Sequence, residues 1–178
     1  MAKNSAQQIE QDEKKIIKEL SKNANKSIND IAKTCGFSRQ KVWRVIKNLE
    51  KNYTIWGYSA VVDEEKLDKK SYIMLVKRTN KPVSNELKNK IIKREFETRV
   101  KKIGIDIINS YFTHGLYDWV IIFNAPDMRA AKSMIEIYNT MYEGGYISDI
   151  ILLENMFSVV NSGVTNPEIK KIGEFFKI

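Results

Sequence analysis

The stretch SINDIAKTCGFSRQKVWRVIKNLEKN, residues 27–52, decides how the N-terminal part of the chain folds. Ile28, Ile31, Ala32 and Cys35 fall at i, i+3, i+4 and i+7, which puts one apolar stripe on a short helix. Ser27 can cap the free N–H groups of its first turn, and Asp30, three residues on, completes a capping-box-like arrangement with Asp in the usual Glu place. Gly36 stands where a left-handed helix end is needed, Phe37 supplies an apolar anchor, and Ser38 is a second capping residue. A second helix therefore starts at Ser38. In it Val42, Val45, Ile46 and Leu49 turn inward, leaving Gln40, Lys41, Arg44, Lys47 and Asn48 outside, with Arg39 near the first turn. Two helices joined by so tight a turn read as a helix-turn-helix. Its outer face suits the major groove, where Arg and Lys reach guanine acceptors or phosphates and Gln and Asn pair with adenine edges. The alternative is a merely solvated basic surface, against which caps, turn glycine and two apolar stripes all agree.

The candidate DNA-binding residues are Ser38, Arg39, Gln40, Lys41, Arg44 and Lys47. Gln40 and Arg44 are the better base readers, and the lysines the better phosphate contacts. Trp43 interrupts the basic face and is expected at the edge of the core. Cys35 reads as a small core residue.

Composition bounds the rest. The chain has 178 residues, 43% of them apolar, enough for one large or two small domains with real cores. No apolar run approaches the roughly 20 residues of a spanning helix, and the polar start from Met1 to Gln11 lacks a signal peptide's apolar centre. A cytoplasmic protein with no membrane partner is expected. One cysteine excludes an internal disulfide, and one cysteine with one histidine argues against a zinc site or a histidine relay. No metal or other cofactor is expected. The net charge of +8 is unevenly placed: residues 1–60 hold 12 Lys+Arg against 6 Asp+Glu, and the remainder hold 18 against 16. That asymmetry is the footprint of a polyanion-binding module joined to a near-neutral one.

In chain order, Ile9, Ile16, Ile17 and Leu20 describe a first helix from about Ile9 to Leu20. With the next two it makes a trihelical unit over residues 1–53, whose core is expected to be Ile16, Ile17, Leu20, Ile28, Ile31, Val42, Ile46 and Leu49. Residues 54–70 read as a linking strand, rich in β-branched and aromatic residues up to Val62, followed by a charged hinge from Asp63 to Lys70. A second domain spans 71–160. Tyr72–Lys77 is a strand, and Ser84 opens a helix that Leu87, Ile91, Ile92, Phe96, Val100 and Ile103 carry to Gly104. Ile105–Thr113 and Tyr117–Asn124 are strands, Asp127 opens a helix that ends at Gly144-Gly145, and a last strand runs from about Tyr146 to Val160. The fold class is α+β: a winged-helix-like helix-turn-helix domain, a linking strand and a ferredoxin-like β-α-β-β-α-β domain. Residues 161–178 form a tail with a short helix after Asn166 and Pro167.

Both helices of such a domain cover one sheet face, and the other should be polar if water touches it. Here both faces read apolar: Tyr72, Met74 and Val76 alternate with Ile73 and Leu75, and Trp119, Ile121 and Phe123 with Val120 and Ile122. The last strand repeats this with Ile150 and Leu152 against Ile151 and Leu153. A second subunit is the simplest cover, which would set paired DNA modules on successive half-sites of double-stranded DNA. The alternative cover is the tail helix.

This order of parts resembles the leucine-responsive regulator/AsnC (feast/famine) family. The likeness spans about residues 10–160 and is carried by Cys35-Gly36-Phe37-Ser38 through Leu49-Glu50 to Gly57-Tyr58. It is carried equally by Thr113-His114-Gly115-Leu116-Tyr117-Asp118-Trp119 followed by Ala125-Pro126-Asp127-Met128. The resemblance implies a transcriptional regulator that forms homodimers and possible octamers, with an amino acid or related small molecule bound at an interface of C-terminal domains. On it Gly115 and Asp118 are the effector-binding candidates, with His114 beside them. A glycine lets a ligand carboxylate approach backbone N–H groups, and an aspartate can meet an ammonium. The structural alternatives are a plain hairpin turn at Gly115 and a carboxylate bonded to that turn at Asp118. Three departures stand out: a longer helix from Ser84 to Ile103, Tyr53-Thr54 where the family usually has a glycine, and the tail. The leading function is sequence-specific regulation without enzymatic activity. The alternatives are architectural DNA compaction and, on the same two-domain plan, catalysis like that of sirohaem decarboxylases. The scarcity of histidine and cysteine argues against catalysis.

Overall fold

Three helices come first: α1 (Ala6–Lys22), α2 (Ile28–Cys35) and α3 (Arg39–Lys51). The computed structural model describes residues 6–176, so Met1 to Ser5 of the polar start and the last two tail positions lie outside it. The expected caps are in place. Ser27 Oγ accepts the Asp30 N–H at 3.1 Å and donates to its carboxylate at 2.6 Å. Gly36 takes φ 70° and ψ 35°, and Ser38 Oγ accepts the Lys41 N–H at 3.2 Å. Ile16, Ile31, Ala32 and Val42 form the buried core of this unit, with Leu20, Ile28, Val45 and Ile46 packed against it. Ile17 was expected there and is only half-buried, while Ala32 is central. The reason lies on α1, whose buried residues are Asp12, Ile16 and Glu19. That i, i+4, i+7 stripe carries two carboxylates inward and rotates Ile17 to the margin.

Asn52 caps α3, and Tyr53 follows in the left-handed region at φ 59°. A tyrosine thus takes the conformation that a glycine adopts without steric cost. The expected linking strand is corrected: residues 54–62 form no strand, because a ladder needs a neighbour and none of the described residues pairs with them. Contacts divide the chain into two units, one of the residues up to Val61 with Ser162–Val164, the other of Val62–Asn161 with the residues from Thr165 on.

The second unit opens with a 3₁₀ turn at Glu64–Leu67 and continues through β1 (Lys70–Arg78), α4 (Asn85–Ile92), α5 (Glu95–Lys101), β2 (Asp106–Phe112), β3 (Trp119–Ala125), α6 (Met128–Met141) and β4 (Ile147–Glu154). The sheet order is β2-β3-β1-β4, antiparallel throughout, which is the ferredoxin-like arrangement. Tyr72, Met74, Val76, Ile121 and Phe123 face the helices and pack with Phe96, Val100, Met134 and Tyr138. The single helix expected from Ser84 to Ile103 is broken. Leu87 and Ile91 are four apart, as are Phe96 and Val100, but Ile91 and Phe96 are five apart. A continuous helix would turn Glu95 toward the sheet in place of Phe96. The chain resolves this slip with Arg94 at φ 54°, and Ile92 is left 76% exposed. The last strand stops at Glu154 rather than near Val160; Val160–Asn161 instead pairs with Val164–Thr165 in a separate two-stranded sheet.

The sheet's other face carries two cross-strand rows. One runs Leu153, Ile73, Ile122 and Asn109; the other runs Ile151, Leu75, Val120 and Tyr111. The tail does not suit it as a cover: its α-helix, α7, is only Ile172–Phe175, and Phe175 packs on Phe157 with ring centres 5.6 Å apart.

The helix break makes a direct prediction for chemical unfolding. Phe96→Ala should destabilise the protein by about 3–5 kcal/mol, and Ile92→Ala by no more than about 0.5 kcal/mol. Comparable losses would mean that Ile92 is packed and the helix continuous.

Candidate nucleic-acid interface and effector loop

The amphipathic pattern of α3 turns Arg39, Gln40, Trp43, Arg44, Lys47 and Asn48 to solvent, while Val42 and Leu49 are buried. Five of the six proposed DNA-binding residues, Ser38, Arg39, Gln40, Lys41 and Arg44, line one surface concavity of about 670 Å³ with Ile28 and Trp43. Lys47 lies one turn further along the exposed stripe. Among the described residues neither Arg39 nor Arg44 joins an ion pair; Lys47 pairs with Glu50 at 2.7 Å on the helix surface.

Two expectations for this helix need correction. Lys41 is not a freely outward group. Its Nζ lies 2.5 Å from the Asp12 carboxylate, which is 3% exposed, and 4.1 Å from the centre of the Phe37 ring. Its side chain therefore folds back against α1, as an ammonium held by a carboxylate and a ring face. Trp43 is not at the core edge but 54% exposed, because it sits in the stripe Gln40, Trp43, Arg44, Lys47 at i, i+3, i+4, i+7. That spacing was readable in the sequence, and the preference of tryptophan for burial obscured it.

The inward carboxylates of α1 are both held ionised. Bonding to Lys41 keeps the Asp12 carboxyl below its ordinary range, against the opposing effect of its burial. Glu19 bonds Lys26 at 2.6 Å and Lys22 at 2.9 Å, which brings its pKa down to about 2. Lys26 also donates to Thr34 Oγ1 at 2.9 Å, so this cluster ties α1 to α2.

In the C-terminal unit the effector candidates lie in the turn between β2 and β3. Thr113 N–H donates to the Asp118 carbonyl at 2.8 Å and Thr113 Oγ1 to the Tyr117 carbonyl at 2.6 Å, closing the turn. Gly115 and His114 are exposed at its tip, and a Cβ at Gly115 would meet nothing within 4 Å, so its backbone is open to approach. Asp118 Oδ2 accepts the Arg78 N–H at 2.8 Å, which fastens the turn to the end of β1. The Asp118 carboxylate thus has a structural partner, as in the alternative reading, but that partner lies on β1 and not in the turn. On the helix side of the sheet, a cavity of about 20 Å³ lies between Phe96, Trp119, Tyr138 and Tyr142, room for a single water. Burial pushes the Tyr142 hydroxyl up to about 12 and raises that of Tyr138 as well. Among the described residues, no group of three or more His, Cys, Asp or Glu could hold a metal, and no helix is long and apolar enough to cross a membrane.

A helix-turn-helix presenting a basic helix, followed by a ferredoxin-like domain with one apolar open face, defines a two-domain plan shared with known proteins. Residues 13–52 match winged helix-turn-helix DNA-binding domains, and residues 72–141 match the GYD domain. An AsnC family transcriptional regulator from Agrobacterium tumefaciens is 24% identical, with 84% of this chain and 92% of that one covered at a TM-score of 0.59. LrpC of B. subtilis is 18% identical, covering 90% and 99% at a TM-score of 0.58. A transcriptional regulator from Neisseria meningitidis, solved as a complex with L-Met, is 15% identical, covering 87% and 94% at 0.60. No curated protein matches the chain in sequence. The chain is built on the fold of the leucine-responsive regulator/AsnC transcriptional regulators.

The paired carboxylates make stability depend on pH. Glu19 has a folded value of about 2 against an ordinary 4.5, so its contribution is whole above 4.5 and lost as pH falls through 2. Asp12, also lowered, acts in the same direction. In an acid titration followed by circular dichroism, Glu19→Gln should be less stable than wild type at pH 5 and converge with it near pH 2. A constant difference across that range would show that the ion pairs with Lys22 and Lys26 do not stabilise the unit.

Proposed function

We propose that the protein is a sequence-specific, double-stranded DNA-binding transcriptional regulator that acts as a homodimer and responds to an amino acid or similar small molecule. The observation that carries this reading is the exposed basic stripe of α3 on a capped helix-turn-helix core. Arg39, Gln40 and Arg44 read base edges or phosphates, Ser38 and Lys47 contact the backbone, and Lys41 sets the position of α3. The apolar rows around Ile73, Leu75, Val120 and Ile122 favour a second copy as the cover of the sheet, which pairs two reading helices for successive half-sites. Dimers that associate further, up to octamers, fit the same plan. The effector reading rests on the open Gly115 backbone with Asp118 and His114 beside it, and on the L-Met complex of a protein of this fold.

Fluorescence anisotropy on DNA from upstream of the protein's own gene and on random DNA, at several salt concentrations, tests the reading. A preference of about 10³-fold or more for the cognate DNA is expected; similar affinity for both would indicate architectural compaction instead. Arg44→Ala should lose about 1–3 kcal/mol on the cognate site, and Lys47→Ala should weaken all sequences alike. Sedimentation should show a dimer for the wild type and a folded monomer for Leu75→Lys, and a dimeric Leu75→Lys would place the interface elsewhere.

A further inference from the structure

Trp43 is the one large apolar side chain on the exposed stripe of α3. It lies between Gln40, one turn before it, and Lys47, one turn after, with Arg44 adjoining and Arg39 four residues back. The indole shares its concavity with Ile28, Arg39, Gln40 and Arg44. An aromatic of this size normally buries 150–250 Å², yet more than half of Trp43 is open to water. The cations and amide around it select an occupant that is anionic and rich in hydrogen-bonding edges, and the indole requires that this occupant also carry an apolar point. A B-form duplex has one such group in its major groove, the C5-methyl of thymine.

We propose that Trp43 is a specificity-determining residue that packs on thymine methyl groups, while Gln40 and Arg44 pair with neighbouring base edges. This rests on the DNA-binding reading above and adds to it a chemical preference. The preferred half-site contains thymine at the position opposite the middle of α3, flanked by bases that offer acceptors to Arg44 or the N6/N7 edge of adenine to Gln40. Binding there brings indole and methyl out of water together, so the gain comes from burial and not from a hydrogen bond.

The test uses the full chain. Wild-type protein selects its preferred site from a pool of random duplexes, and each thymine of that site is then replaced by uracil, which removes the methyl group and leaves the pairing edge intact. At one or two thymines, uracil should weaken wild-type binding about fourfold, the burial of one carbon (~0.8 kcal/mol). Trp43→Ala should bind thymine and uracil duplexes equally, and Trp43→Leu should keep part of the discrimination. Since Trp43 is outside the core, both variants should melt like wild type; if Trp43→Ala does not fold, the uracil series with wild type and Trp43→Leu still decides. A uracil penalty that is absent in wild type, or the same in wild type and in every folded variant, overturns the assignment to Trp43 alone, provided that a sequence was selected. Selection of no sequence overturns both this proposal and the regulator reading.

Discussion

The ion pair between Asp12 and Lys41 sets the geometry of the N-terminal unit. It joins the first helix to the third, and without Lys41 the Asp12 carboxylate, 3% exposed, would keep only the Gln8 amide at 3.0 Å as a side-chain partner among the described residues. Phe37, in the turn before α3, lies under the same ammonium, and the Lys15 ammonium lies 5.7 Å from the ring centre on its own approach. One lysine therefore ties the turn to α1 and reinforces the rotation of α3 that Val42 and Leu49 set from the core. That rotation decides which side chains are outward, and so which can reach a groove. The Glu19 cluster does for α2 what Lys41 does for α3, through Lys26 and Thr34. In a trihelical unit with a buried core this small, such directional contacts add to the rotation that the apolar stripe of each helix already sets.

The C-terminal unit is defined by a different constraint, the two-sided apolar sheet. On one side the core is closed by α5 and α6 through aromatic contacts: the Phe96 and Tyr138 rings meet edge to face at 5.1 Å, and Tyr138 meets Tyr142 at 4.4 Å. The break at Arg94 serves this packing, since it lets Phe96 and Val100 face the sheet. On the other side, register places aliphatic residues directly opposite one another over three strands, with Tyr111 continuing one row onto β2. Cross-strand rows of this kind stabilise the sheet itself, and Ile73, Leu75, Val120, Ile122 and Ile151 stay only half-buried in them.

The overall plan was legible because each signal that specifies it is local: caps at Ser27, Ser38, Ser84 and Asp127, a left-handed Gly36, and alternation along the strands. What was not legible depends on long-range choices. Asp12 and Glu19 turn inward because lysines from elsewhere in the unit can meet them, and no periodicity of apolar residues shows that. The helix break at Arg94 was present as a five-residue spacing between Ile91 and Phe96, but Ile92 and Ile103 filled in a false continuous stripe. The strand expected over 54–62 has the composition of a strand, and composition does not provide a neighbour to pair with. At the candidate site, the helical pattern and the structure agree that Arg39, Gln40, Arg44 and Lys47 are exposed and differ at Lys41 and Trp43. In both cases an average preference, lysine outside and tryptophan inside, was overridden by a specific partner or a specific position.

Lys41 and Lys47 show how far such a preference can mislead about function. Both are basic and both belong to α3, six residues apart. Lys47 pairs with Glu50 where both side chains are substantially exposed, and an ion pair of that kind contributes little to stability. A phosphate can replace Glu50 as its partner at small cost. Lys41 is bound to a carboxylate that is 3% exposed, so a move toward phosphate would take from Asp12 its ion-pair partner and leave it the Gln8 amide. Its charge contributes to the field around the helix while its side chain stays where it is. On the proposed DNA reading the two lysines should therefore differ in counterion release: Lys47→Ala should lower the salt dependence of binding more than a loss of Lys41's charge would. The positive excess of the N-terminal unit therefore includes at least one cation already engaged within the protein, and the proposed contacts of α3 rest more on Arg39, Arg44 and Lys47 than on Lys41.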